Sequence, residues 1–286
     1  MQVIAIDRSS RARGSKDRPR QHSRIVKSTR REALIAGGAA FGSLVVGPDF
    51  SRAAECILTS RQIDGPYHIQ DAEERRDVRS AKPGVDLVLR MRIVDAEGCE
   101  GISGVRTEIW SCDALGNYSG HPDVDPNVPP SLGAGGRPPG GGSGWPAVGR
   151  GRPGGPPGGS SRGGHREPTG PKRFLRGSQI ANDQGEVEYL TIYPGWYNPR
   201  AVHVHVNVHL GGTELLTTQL YFPDDLTDSV HQTEAYASRY PTPFPNAKDR
   251  VKYWTTGGDE PIGVYPTMTT DGETQVGTLT IGVKRS

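Results

Sequence analysis

The chain is poor in cysteine and has no apolar run long enough to cross a membrane. Three of its 286 residues are cysteines, and an odd number allows at most one internal disulfide. The three lack the spacing of a metal-binding cysteine motif, which excludes a thiolate-rich metal site. The uncharged stretch at residues 33–46 is shorter than the about 20 residues that a membrane-spanning helix needs. We therefore expect no stable membrane span.

The body of the chain also lacks a basic excess. The formal net charge is +2, from 34 Lys and Arg residues against 32 Asp and Glu residues. Residues 1–53 hold eleven of the basic residues and four of the acidic ones, so residues 54–286 are acidic overall. This distribution argues against a nucleic-acid partner, because a nucleic-acid-binding domain carries a basic surface.

The basic N-terminal segment resembles an export signal. Residues 28–34 read Ser-Thr-Arg-Arg-Glu-Ala-Leu, which is similar to a twin-arginine motif, and the uncharged stretch follows. Ser51 and Ala53 are small residues, spaced like those at positions −3 and −1 of a cleavage site. A disordered basic tail is the alternative interpretation. We predict a signal region at 1–53, a single domain at 54–286, and a periplasmic or extracellular protein.

Short alternating segments recur along the chain, while long helical patterns are missing. In residues 86–95 every second residue is apolar, as expected for a strand with one buried face. Gly, Pro, Asp and Asn separate such segments, which favours an all-β sandwich of mainly antiparallel strands with long loops. Helix is expected only for one or two turns around 228–238. The predicted strands are 86–95, 105–112, 186–193, 201–209, 215–222 and 276–284.

One segment does not fit the sandwich. Between Pro129 and Pro171, 26 of 43 residues are Gly or Pro, with no apolar periodicity. Such a composition cannot bury enough apolar surface to offset its ordering entropy. We predict a disordered insertion at about 129–171 within one domain.

Two of the cysteines lie at opposite ends of a predicted β-hairpin. Cys99 lies at its tip, and Cys112 ends the returning strand. This separation argues against a bridge between them and favours Cys56 as the partner of one of the two.

A histidine pair stands in the segment where valine alternates with polar residues, 202–209. His203 and His205 are two residues apart, so both face the same side of a strand with their Cα atoms about 6.5 Å apart. That spacing lets two ring nitrogens reach one metal ion. Tyr197 precedes His203 by six residues on a turn containing Pro and Gly. Because phenolate is a hard donor, these residues point to an oxidised metal. A half-exposed strand decorated with histidines is the alternative interpretation.

On both sides of the histidine pair, over residues 56–225 apart from the insertion, the sequence resembles the intradiol ring-cleavage dioxygenases. Six motifs in family order carry the resemblance, although each is weak alone. They are Gly-Pro-Tyr at 65–67, Ile-Trp-Ser-Cys-Asp-Ala-Leu-Gly-Asn-Tyr-Ser at 109–119, Arg-Phe-Leu-Arg-Gly at 173–177, Thr-Ile-Tyr-Pro-Gly-Trp-Tyr at 191–197, Arg-Ala-Val-His-Val-His at 200–205, and Thr-Thr-Gln-Leu at 217–220.

The resemblance implies a non-haem Fe(III) site. The family's ligands are two tyrosines and two histidines, which correspond here to Tyr118, Tyr197, His203 and His205. Tyr193 competes with Tyr197, but the family's tyrosine follows the proline by three residues, which selects Tyr197. His209 matches no ligand position.

The resemblance also implies catalytic residues around that ion. Arg200 occupies the position of the family's active-site arginine, whose charge would stabilise an electron-rich ring. Gln219 matches a residue near the same ring, and Tyr197 would leave the metal when the substrate binds. Tyr67 and Trp196 are expected as walls of the pocket.

The implied activity is an exported Fe(III) dioxygenase that inserts both atoms of O₂ into a catechol-type ring and forms a cis,cis-muconate-type diacid. A non-catalytic β-sandwich module that binds aromatics or a cell-surface polymer is the alternative. An extradiol enzyme would instead use Fe(II) with two histidines and a carboxylate. The helical dimerisation segment of cytosolic catechol dioxygenases is missing, and monomer and homodimer both remain open.

Overall fold

The computed structural model describes residues 57–70, 72–128, 166–239, 242–253 and 263–285. All of these residues belong to one compact unit. The predicted signal region at 1–53 lies outside the described residues, as does residue 56 and most of the predicted insertion.

Two four-stranded sheets form the domain. The strands are β1 (Asp86–Asp95), β2 (Arg106–Trp110), β3 (Arg176–Ile180), β4 (Glu186–Ile192), β5 (His203–Leu210), β6 (Thr213–Tyr221), β7 (Thr267–Asp271) and β8 (Thr274–Val283). The order in the first sheet is β4-β1-β8-β7, and the order in the second is β3-β2-β5-β6. Neighbouring strands are antiparallel except for β1 and β8, which are parallel. The predicted all-β sandwich is confirmed.

The core lies between the two sheets, and strand alternation supplies it. On β1, every second side chain from Leu87 to Ile93 is buried in one apolar cluster. On β5, Val204, Val206 and Val208 enter the same cluster from the second sheet. Since alternate residues of a strand face opposite sides, the histidines of β5 must face away from this core.

The outer face of the second sheet is buried as well, because the chain that precedes β1 runs across it. The Gln62 amide donates to the Thr217 carbonyl at 2.7 Å, and the Arg75 amide donates to the Ser178 carbonyl at 3.0 Å. As a result the first six residues of β5 are buried on both faces. A half-exposed strand is therefore the wrong interpretation of the histidine pair.

Three expectations need correction. Strands β3 and β7 were not predicted, because short polar segments such as Arg-Gly-Ser-Gln-Ile show no apolar alternation.

The helix α1 spans Asp224–Val230 and is followed by turns, whereas the prediction placed it around 228–238. Its first turn carries Asp224 and Asp225, which favour a helix N-terminus. Two short 3-10 helices, which the sequence did not predict, follow at Asn246–Lys248 and Arg250–Tyr253.

Residues 166–171 belong to the ordered domain, although the predicted insertion included them. The amides of Thr169 and Gly170 donate to the Gly120 carbonyl at 2.8 and 3.0 Å. The Thr169 hydroxyl donates to Asp123 Oδ1 at 2.6 Å. These hydrogen bonds hold the C-terminal end of the predicted insertion next to the turn that carries Tyr118.

Cys99 is disulfide-bonded and Cys112 is a buried free thiol, so the two are not joined to each other, as predicted. Cys56, the predicted partner, lies outside the described residues. Within the described part of the chain, no helix is long and apolar enough to span a bilayer.

Candidate metal centre

His203 and His205 project together from the outer face of β5. Their Nε2 atoms are 3.1 Å apart. His203 Nδ1 lies 2.6 Å from the Ala201 carbonyl, which can accept only a hydrogen bond, so we assign the ring proton to Nδ1. The Nε2 lone pair of His203 is therefore free to bind a cation.

The ring of His205 contacts both an indole and the chain that covers the sheet. Trp110 lies on β2 and is the cross-strand partner of His205. Its ring stacks on the His205 ring with centroids 4.7 Å apart and an interplanar angle of 5°. Gly65 of the covering chain also lies next to the ring, since a Cβ atom there would lie 3.3 Å from His205 Cε1. The backbone φ of Gly65 is +69°, a value that glycine adopts without strain. The Gly-Pro-Tyr motif thus allows the covering chain to approach the ring.

Tyr118 reaches the same point from the loop after β2. The Asp113 side chain organises this loop by accepting from the amides of Leu115 and Asn117 at 3.1 and 2.9 Å. The Tyr118 hydroxyl lies 3.3 Å from His203 Nε2. Tyr67 stacks on the Tyr118 ring with centroids 4.6 Å apart, so Tyr67 does lie beside the site.

Tyr197 comes from the turn after β4. Gly195 places this turn directly on the Tyr118 loop, because a Cβ atom there would lie 2.4 Å from the Asp113 carbonyl oxygen. The Tyr197 ring meets the Tyr118 ring edge-on with centroids 5.6 Å apart. Its centroid is 5.5 Å from that of His203. Two tyrosines and two histidines from three segments therefore meet at one place.

The donor set fits a hard trivalent cation. All four side chains are at most 4% exposed. Two ligands of one ion at about 2.1 Å lie about 3 Å from each other, which matches the 3.1 and 3.3 Å separations around His203 Nε2. Elsewhere in the described residues, no group of three His, Cys, Asp or Glu side chains could hold a metal. Neutral imidazoles with anionic phenolates suit Fe(III).

Burial controls the protonation of all four groups. It holds the pKa values of His203 and His205 well below the usual range, and the nearby Arg200 charge adds to this, so both rings are neutral. Burial also raises the pKa of Tyr118 well above its usual value and that of Tyr197 to about 12. Without a metal both tyrosines are neutral phenols, and a cation must displace their protons to bind.

Arg200 is buried next to Tyr197 and makes four side-chain contacts. Its Nη1 donates to the Tyr197 hydroxyl at 3.3 Å, and its Nη2 donates to Gln219 Oε1 and to the Tyr221 hydroxyl. Its Nε lies 3.1 and 3.0 Å from the two carboxylate oxygens of Asp249. The predicted catalytic residues Tyr197, Arg200 and Gln219 are thus in direct contact.

Asp249 and Tyr221 are the site residues that sequence reasoning missed. Asp249 is fully buried and also accepts from the amides of Ala201 and Val251 at 2.9 and 3.0 Å. It lies in a polar stretch, Asn-Ala-Lys-Asp-Arg, that resembles an ordinary surface loop. Tyr221 follows Gln219 on the same face of β6, and this alternation was the signal that could have identified it.

Three other residues lie outside the cluster. The Tyr193 hydroxyl is 2.7 Å from Thr227 Oγ1 in the main core, so it is turned away from the histidines. Trp196 also belongs to the main core, with Arg239 4.2 Å above its ring. It lines a surface cavity of about 360 Å³ and is not a member of the buried cluster that holds Tyr67, Tyr118 and Tyr197. His209 lies partly buried near the end of β5, opposite Arg106.

Comparison with known proteins agrees with this architecture. No family model matches the chain. An intradiol ring-cleavage dioxygenase from Tetranychus urticae has a similar structure with a TM-score of 0.61 and 23% identity, over 80% of this chain and 95% of that chain. The dioxygenase Tetur07g02040 matches over the same shares at 23% identity with a TM-score of 0.60. The chain has the fold of the intradiol ring-cleavage dioxygenases, the family that its motifs resemble.

Proposed function

We propose that this protein is a non-haem Fe(III) intradiol dioxygenase that cleaves catechol-type rings with both atoms of O₂ and releases a cis,cis-muconate-type diacid. The observation that carries the proposal is the convergence of Tyr118, Tyr197, His203 and His205 in one buried cluster beside Arg200. The fold supports it, since one solved structure with this fold is named as an intradiol ring-cleavage dioxygenase and another as a dioxygenase.

The two histidines would hold the ion through Nε2 and the two tyrosines through their phenol oxygens. Bound there, Fe(III) would draw electron density from a chelated catecholate and make its ring reactive toward O₂. The protein itself supplies the proton acceptor, the fixed charge and the exclusion of water.

Tyr197 is suited to accept a proton from the incoming catechol at its phenol oxygen. Its pKa of about 12, raised mainly by burial, means that it keeps a proton once it is released from a metal. Arg200 Nη1 donates to the same oxygen at 3.3 Å, which gives the released side chain a hydrogen-bonded position. Within the described part of the chain, the Tyr118 hydroxyl makes no hydrogen bond to Arg200, so Tyr118 would be the ligand that stays bound.

Arg200 supplies a fixed positive charge next to the substrate position. Asp249 and Gln219 hold its guanidinium from two sides, and Gln219 is itself anchored by donation to the Ile63 carbonyl at 2.7 Å. A charge that is already oriented needs no reorganisation when electron density moves onto the ring, which is the advantage of electrostatic preorganisation. Gln219 therefore acts by positioning Arg200.

The test uses protein reconstituted with Fe(III). We expect a visible phenolate-to-iron absorption band that shifts when catechol is added without O₂. With ¹⁸O₂, the diacid should carry two labelled atoms. A 2-hydroxymuconic semialdehyde would indicate extradiol cleavage, and binding of catechol without O₂ uptake would indicate the non-catalytic module. Protein that stays colourless and iron-free after supplementation would contradict the proposal.

We also propose that residues 1–53 direct export of the folded protein. The motif Ser-Thr-Arg-Arg at 28–31 and the uncharged stretch after it support this. Fused to a reporter, residues 1–53 should carry it across the bacterial inner membrane, and changing both Arg30 and Arg31 to Lys should abolish export. Equal export of the two fusions would contradict a twin-arginine route.

A further inference from the structure

Arg176 is a second buried guanidinium in the cluster, on the side of Tyr118. It begins β3, is paired in register with Trp110 and is 3% exposed. Its Nε donates to Ser119 Oγ at 2.8 Å, and its Nη2 donates to the Ser119 carbonyl at 3.1 Å. Its Cζ atom lies 5.7 Å from the centroid of the Tyr118 ring. Arg176 therefore holds the residue next to Tyr118 while its charge lies beside the Tyr118 ring.

Arg176 and Arg200 differ in whether a carboxylate lies close to the guanidinium. Arg200 has the Asp249 carboxylate at 3.0 Å. For Arg176, no carboxylate lies within ion-pair distance in the part of the chain that the structure describes. A buried charge without a partner is costly. Burial lowers the pKa of Arg176 to about 10, and Tyr118 is the neighbour that favours its charged form.

We infer that Arg176 is a positioning residue for Tyr118 in the metal centre: its hydrogen bonds hold the Ser119 turn, and its charge offsets that of the metal-bound Tyr118 oxygen. The inference rests on the proposed function. The role of Arg176 gives a physical reason why Tyr118 would stay bound to the metal while Tyr197 would leave it. Arg200, beside Tyr197, already has the Asp249 carboxylate as its ion-pair partner. Among the described residues, Arg176 would have an anionic neighbour only while Tyr118 stays bound as a phenolate.

Two substitutions separate the charge from the hydrogen bonds. Arg176→Gln removes the charge and keeps an N–H donor for Ser119, whereas Arg176→Lys keeps the charge and loses the planar fork. Arg173→Gln is the matched control, because Arg173 lies three residues earlier and is exposed. Each protein is reconstituted with Fe(III). The absorption band, iron retention against a competing chelator, and the melting temperature of the metal-free protein are measured.

For Arg176→Gln we expect the phenolate-to-iron band at longer wavelength, because a phenolate without a nearby cation gives up electron density more easily. Iron affinity should fall about 10- to 100-fold, as for other residues that support a metal ligand. Arg176→Lys should keep the wild-type band with weaker iron retention, and Arg173→Gln should match the wild type in both.

A purely structural role would lower the melting temperature of metal-free Arg176→Gln and leave the band and the affinity unchanged, which would overturn the inference. An equal shift of the band in Arg176→Lys and Arg176→Gln would also overturn it. If Arg176→Gln does not fold, Arg176→Lys still tests the inference, because a shifted band in a variant that keeps the charge would contradict it. A wild-type protein without any band would instead refute the proposed function.

Discussion

Arg200 and Asp249 form a completely buried ion pair across 49 residues of sequence, with Nε 3.0 Å from one carboxylate oxygen and 3.1 Å from the other. The same carboxylate accepts from the amides of Ala201 and Val251. One side chain from the C-terminal loop thus fixes both the arginine of the site and the entry to β5.

Asp249→Asn is expected to destabilise the protein strongly, because it leaves Arg200 buried without a counter-charge. Loss of one partner of a buried pair costs about 3–5 kcal/mol. Urea unfolding of the metal-free protein measures this difference. Asp271→Asn, on the exposed β7, should change the free energy of unfolding by less than about 0.5 kcal/mol. A similar effect of both substitutions would contradict the structural role of the pair.

Tyr197→Phe is expected to weaken the visible band of the iron-loaded protein and to slow ring cleavage by about 100-fold or more, since a proton acceptor is lost. Tyr193→Phe is the matched control from the same turn. It removes the 2.7 Å contact with Thr227 and should cost about 1 kcal/mol of stability without changing the band. If Tyr193→Phe altered the band and Tyr197→Phe did not, the ligand assignment would be wrong.

Uptake of Fe(III) by the metal-free protein near neutral pH should release at least about two protons, because both tyrosines are neutral phenols before the metal binds. Titration in weakly buffered solution measures the release. Tyr197→Phe should release about one proton fewer. Binding without proton release would show that the phenols are not ligands.

The stability of the metal-free protein should decrease at acid pH partly through His231. Burial lowers the pKa of His231 to about 4, below the about 6.5 of an unfolded chain. The unfolded state therefore binds an extra proton between these values, so the contribution is complete above pH 6.5 and is lost as the pH falls. About 2 kcal/mol should be lost between pH 6.5 and pH 4.5. His231→Gln should flatten this part of the pH profile, and an unchanged profile would contradict the assignment.

Gly195→Ala should disrupt the metal centre from a distance. A Cβ atom there would lie 2.4 and 2.5 Å from the carbonyl oxygens of Asp113 and Ala114, so the two tyrosine-bearing turns must separate. We expect a loss of about 2–3 kcal/mol of stability and weaker iron binding. Gly98→Ala is the control, because its Cβ would meet nothing closer than 3.9 Å. Equal iron binding by both variants would show that the spacing of the turns is not critical.

The strand positions and site residues that could be predicted are those that follow from side-chain alternation along a strand or from short sequence motifs. Alternation in 86–95 and 202–209 predicted β1, β5 and the common face of His203 and His205, since strand geometry needs no distant partner. Tyr118 and Arg200 were identified through the resemblance, and the structure places both beside the histidines. By contrast, β3 and β7 form because neighbouring strands pair with them, and their own sequences carry little signal.

The sequence by itself determined the sandwich, the histidine pair and the candidate ligand set, because side-chain period and short motifs are local properties. Only the tertiary structure decided that the outer face of β5 is buried, that Asp249 pairs with Arg200, and that Arg176 lies beside Tyr118 with no carboxylate within ion-pair distance among the described residues. These features depend on which distant segments meet, and burial then sets the energetic weight of each charge.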